Sequence, residues 1–131
     1  MGLDMYARTA PASAVGDAQV DFEMPANAPE IAYWRKFNAL HGWMEQLYRE
    51  KGGAKEFNCT PVRLTEGDIA QLQVALACTY AQTPGALKPV QGFFFGAQEV
   101  YPEHLEDLQG FLAQARIAFA HDQAVFYYAW Y

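Results

Sequence analysis

The chain reads as a single α+β domain, a mostly antiparallel sheet of four or five strands with about three helices, and three observations predict this. Alternating or β-prone runs open and close the sequence, at residues 3–8 and 124–131. Between them lie stretches with apolar residues at helical spacing, bounded by capping residues, prolines and glycines. The third observation is length: 131 residues fit one domain, 1–131, large enough to bury a core without disulfides or metal. Strands separated by helices are best satisfied by helices packed on one face of an antiparallel sheet; the spacing leaves strand order open.

Residues 3–8 alternate well enough for a first strand. Residues 18–24 (AQVDFEM) set Val20, Phe22 and Met24 against Asp21 and Glu23 and predict a second. The turn-rich TAPASAVGD between them makes a long hairpin or a surface loop. Residues 29–53 (PEIAYWRKFNALHGWMEQLYREKGG) are expected to form one helix. Pro29 suits its first turn, Gly52 and Gly53 end it, and Tyr33, Phe37, Leu40, Met44 and Leu47 form an apolar stripe. Residues 59–64 (CTPVRL) are a candidate strand that Pro61 confines to an edge or leaves irregular. Thr65 then caps a second helix, with Asp68 completing a capping-box variant and Ile69, Leu72, Leu76 and Tyr80 as the apolar face. Two prolines and a glycine make 82–91 a loop, and GFFFG at 92–96 a short aromatic strand. Pro102 opens a third helix, on which Leu105, Leu108, Leu112, Ala115 and Phe119 keep helical spacing until His121. In the final run Phe126, Tyr128 and Trp130 share one face and Tyr127, Ala129 and Tyr131 the other, so both faces are expected to be buried.

Composition narrows the function. A net charge of -6 disfavours long nucleic acid, which needs a basic surface, but leaves room for a small anion held by one or two local cations. No window approaches the ~18 apolar residues of a membrane span. The opening MGLDMYARTAPASAV carries neither a signal peptide nor a myristoylation signal, so a mature, cytoplasmic chain is expected. Cys59 and Cys78 lie outside any CxxC, with no further thiol, which predicts two reduced cysteines and no zinc site. No phosphate loop, GxGxxG, GxSxG or HExxH is present, and His104 with Asp107 reads as a solvent-side pair. Neither a cofactor, a metal nor a catalytic set is expected.

A second stripe on the expected long helix mixes aromatic faces with hydrogen-bonding groups: Trp34, Asn38, His41, Glu45 and Tyr48. One reading buries the helix on two sides, with Asn38 and His41 satisfied internally. The other makes the stripe a pocket wall for a small nucleotide-like ligand. Trp34 and Trp130 stack on its rings, Asn38 and His41 read its edges, and Arg35 meets a phosphate, while Lys36 stays solvated. Alternation is expected to send Phe94 to the face opposite Phe93 and Phe95, so that one face is core and the other needs cover by a helix, a second subunit or a ligand. The expected ligand-binding residues are therefore Trp34, Arg35, Asn38, His41, Phe94, Tyr128 and Trp130. The aromatic strands also predict a homo-oligomer. Alternatives are an enzyme that cleaves the ligand with His41 as acid or base, oriented by Glu45, and a protein-interaction module.

The blocks MGLDMY, YWRKFNALHGWM, GFFFG and YYAWY, in order across nearly the whole chain, resemble a group of small phage and prophage proteins. In that group the end often reads tyrosine, one or two serines, then tryptophan; here Ala129 precedes Trp130. By analogy with small phage proteins that sequester or cleave nucleotide signals of bacterial immunity, the resemblance implies an anti-defence role in the host cytoplasm.

Overall fold

The computed structural model describes residues 2–88 and 100–131; the expected strand at 92–96, with Phe94, lies outside them. The opening alternation becomes β1 (Asp4–Pro11), which turns Met5 and Ala7 into the core and Asp4, Tyr6 and Arg8 to the other face. A single helical turn, α1 (Ala12–Val15), follows and ends at Gly16, whose φ of 71° is open to glycine without strain. Then come β2 (Glu30–Arg35), α2 (Asn38–Glu50), β3 (Val62–Leu64), α3 (Glu66–Ala81), α4 (Pro102–Ala120) and β4 (Gln123–Trp130). Their strands form one four-stranded sheet, order β2-β1-β4-β3, in which every neighbouring pair is antiparallel. The fold class is α+β.

Residues 29–53 do not form one helix. Residues 30–35 (EIAYWR) are rich in β-branched and aromatic side chains and pair with β1, Tyr33 opposite Tyr6 and Trp34 opposite Met5. Lys36, at φ 57°, then breaks the strand before α2 starts at Asn38. Phe37, Leu40, Met44 and Leu47 are buried as the apolar stripe requires, whereas Tyr33, freed from the helix, is 45% exposed. Non-local strand pairing overrides the helical periodicity here.

Residues 18–24 do not form the expected strand either. Val20 makes one bridge to Val62, and Asp21, at φ 57°, ends the extended run at once. Phe22 and Met24 instead fold onto the sheet against Phe126, with Ala10, Val15, Ala28 and Ala124. Of residues 59–64 only 62–64 are strand, since Cys59 sits at φ 60° ahead of Pro61.

The later elements follow their local signals. The Thr65 side chain accepts from the Asp68 amide at 3.2 Å and the Asp68 carboxylate accepts from the Thr65 amide at 2.9 Å, a complete capping box. Ile69, Leu72 and Leu76 are buried along α3, but Tyr80 is 54% exposed, at the rim of a surface groove between α3 and α4. On α4, Leu105, Leu108, Leu112 and Ala115 are buried, while Phe119 is half-buried. His104 is no solvent-side partner of Asp107: its ring stacks on Phe37 at 4.6 Å. The main core lies between one sheet face and α2, α3 and α4.

Candidate functional site

Of the seven residues singled out from the sequence, the six that are described fall on both sides of the sheet. Trp34, Asn38 and His41 lie on the helix side, with 1, 3 and 3% exposure. Trp34 packs edge-on against Phe111 at 5.3 Å. The His41 ring stacks on Phe57, and its Nδ1 lies 2.8 Å from the Tyr127 hydroxyl. Burial lowers the His41 pKa to about 4, so the ring is neutral near pH 7, and burial raises that of Tyr127 well above the usual phenol value. This is a core arrangement of packed aromatic groups, in which the buried Trp34 Nε1 meets no acceptor among the described residues. Arg35, Tyr128 and Trp130 lie on the opposite face, and Phe94 is outside the described residues.

That opposite face is the more open one. Strand register sets it in three rows. Trp130, Asp4 and Arg35 form the first, Tyr128, Tyr6 and Tyr33 the second, and Phe126, Arg8 and Glu30 the third. The third row is closed over: Phe126 is fully buried beneath Phe22, which meets it edge-on at 5.5 Å. Burial on both faces of the last strand therefore holds at Phe126 and Tyr127 and fails at Trp130, which is 61% exposed beyond the reach of that cover.

In the middle row the rings of Tyr6 and Tyr128 stack at 5.1 Å with 19° between planes, and Tyr33 flanks Tyr6 at 5.3 Å. Arg8 underpins the row. Its guanidinium carbon is 5.6 Å from each of the Tyr6 and Tyr128 ring centres, its Nε donates to the Tyr128 hydroxyl at 3.0 Å, and its Nη1 donates to the Ala28 carbonyl at 2.9 Å. Tyr33 donates to Asp4 Oδ1 at 2.6 Å, and this bond raises the Tyr33 pKa; burial, with Asp4 second, raises that of Tyr6. Both phenols are neutral donors at physiological pH. Arg35 reaches the same carboxylate only at 3.9 Å, and its side chain is 62% exposed.

The face thus offers flat rings at fixed height, an exposed indole and a lightly engaged guanidinium, the elements of a site that stacks a planar group and pairs with an anion. Of the residues expected from the sequence, Arg35, Tyr128 and Trp130 lie on this face; Tyr6, Arg8 and Tyr33, which share it, are not among those expected. Tyr6 and Arg8 were legible from the alternation of 3–8; Tyr33 was hidden by the helical assignment of 29–53. Among the described residues no group of three or more histidine, cysteine or acidic side chains is placed to hold a metal, and both cysteines are free. No described helix is long and apolar enough to cross a membrane. No family model, curated protein or solved structure matches the chain.

Proposed function

We propose that this protein binds a small, anionic, ring-bearing ligand of nucleotide type on the open sheet face. The observation that carries the reading is the tyrosine row of Tyr33, Tyr6 and Tyr128 with the exposed Trp130 and Arg35 in the next row. A base stacks on Trp130 and the tyrosine row, and Arg35 meets the phosphate. Base stacking on one aromatic side chain contributes about 1 to 3 kcal/mol, enough to make Trp130 the chief determinant of affinity. The net charge of -6 favours a compact ligand over a long polyanion, because only a local cation is on offer. The resemblance to phage proteins supports the narrower reading that the ligand is a nucleotide signal of bacterial immunity, sequestered in the host cytoplasm.

The enzymatic alternative with His41 as acid or base gains no support from its place, since the ring is buried, neutral and stacked inside the core. The test is incubation of the protein with a mixed nucleotide pool and recovery of the bound species after denaturation. An intact nucleotide that quenches the fluorescence of the native chain but not of Trp130→Phe is the expected result. Altered nucleotides would favour cleavage, and retention of nothing would overturn the binding reading.

A further inference from the structure

The two edges of the sheet are treated differently. Along β3, residues 19–21 close the edge, with Arg63 donating to the Gln19 carbonyl at 2.8 Å and Val20 bridged to Val62. Beyond β2 no strand is found among the described residues. Lys36 donates to the Leu3 carbonyl at 2.9 Å, so the alternation of an antiparallel ladder turns the backbone groups of Trp34 toward β1 and those of Tyr33 and Arg35 outward. Both outward residues are exposed, and no proline lies within the strand to blunt it; the register shift is confined to its start, near Glu30.

A groove of about 350 Å³ runs beside this edge, between Tyr33 and the Gly110 turn of α4. Glycine in a helix interior costs about 1 kcal/mol against alanine. No described residue requires it here, because a Cβ built on Gly110 meets no described atom within 4 Å. A glycine beside a strand edge that no described residue pairs leaves room for another backbone to come close.

We infer that two copies of this chain pair through β2, antiparallel about a two-fold axis near Trp34, with α4 passing α4 of the partner at Gly110. In that register Tyr33 lies opposite the partner's Arg35 and Arg35 opposite the partner's Tyr33. Two such pairs exchange about four backbone hydrogen bonds. The self-pairing satisfies the outward groups of both residues reciprocally, which a foreign strand has no reason to do. Charge agrees with it: the partner's Arg35 comes to lie beside the Tyr33 ring and the Asp4 carboxylate bonded to it. Near Gly110, Glu106 faces the partner's Gln114, each four residues from the crossing, and so meets no like charge. The tyrosine rows of two sheets then run side by side with an arginine from each copy between them. This enlarged platform, suited to an elongated or two-fold symmetric nucleotide, rests on the ligand-binding reading; the dimer does not.

Sedimentation velocity and amide hydrogen exchange on the full chain test the pairing. The expected mass is twice the chain's 14.7 kDa, with association strengthened by salt because each copy carries a charge of -6. The amides of Tyr33 and Arg35 should be protected in the dimer and exchange at least about tenfold faster on dilution, whereas Trp34 stays protected in both. Tyr33→Pro removes an outward donor outside the β1 ladder and should yield a folded monomer. Gly110→Leu fills the groove and should weaken association at least about tenfold while holding or raising Tm. Should Tyr33→Pro fail to fold, Gly110→Leu and the exchange data decide. A monomeric mass at every concentration, or a dimer in which the Tyr33 and Arg35 amides stay unprotected, would overturn the inference. A dimer that retains no nucleotide keeps the pairing and removes the ligand reading; a monomer that binds nucleotide does the reverse.

Discussion

Tyr48 shows how tightly single residues are fixed in this fold. Its ring is fully buried, and its hydroxyl donates to Asp21 at 2.7 Å while accepting from the Lys55 amide at 3.1 Å, so one side chain ties α2 to two loops. Gly53 lies against the ring, and a Cβ there would collide with it. Gly53→Ala is expected to cost about 1 to 3 kcal/mol through displacement of Tyr48, measurable by urea denaturation. His41 makes the stability pH-dependent. Its folded pKa of about 4 lies below the unfolded value of 6.5 because burial disfavours the cation. As pH falls the unfolded chain takes up the proton first. This contribution to stability is therefore complete above about pH 6.5, declines between there and about pH 4, and is lost below, a total near 3 kcal/mol. Denaturation at neutral and mildly acid pH should show this slope in the native chain and a shallower one in His41→Gln.

At the scale of elements, α3 depends on a cap that also anchors its neighbours. The Asp68 carboxylate that completes the Thr65 box also accepts from Lys51 Nζ at 2.5 Å, and both side chains are only 13% exposed. Lys51 donates in addition to the Gln19 side chain and the Arg63 carbonyl, linking the end of α2 to β3 and its edge. Thr65→Ala is expected to cost about 1 kcal/mol in thermal or chemical denaturation, with Thr65→Ser near native. The end of β4 is held by an analogous local device: Asn58 accepts from the Tyr131 amide at 3.0 Å and donates to its carbonyl at 2.9 Å, taking the place of β3 where that strand falls short of the end of β4. That clamp keeps β4 extended up to the exposed Trp130.

For the whole molecule, the sheet separates stability from recognition. Helices cover one face, and residues 20–28 with α1 cover part of the other, leaving the first two rows as the candidate platform. Variants on the two sides should therefore behave differently. Trp34→Ala is expected to cost about 3 to 5 kcal/mol of stability, as for other large buried aromatics. Trp130→Ala should leave the denaturation midpoint nearly unchanged and weaken nucleotide binding by about one to two decades. Arg35→Ala should weaken binding more at low salt than at high salt, since its exposed charge is screened. Calorimetry on folded variants with the recovered nucleotide checks the last two.

The sequence by itself determined the parts whose signals are local. The α+β class, the Thr65 cap, the periodic faces of α3 and α4, and the strands at both ends could all be read from spacing and capping chemistry. Tertiary structure alone decided residues 30–35, whose partners on β1 lie 22 to 31 positions away and leave no trace in a local window. That decision also divided the site. On a helix Trp34 and Arg35 would stand about 100° apart and border one surface; on a strand neighbouring side chains point to opposite faces. Pairing with β1 therefore sent Trp34 into the core and Arg35 to the open face, beside the Tyr6 and Arg8 that the same pairing brought there.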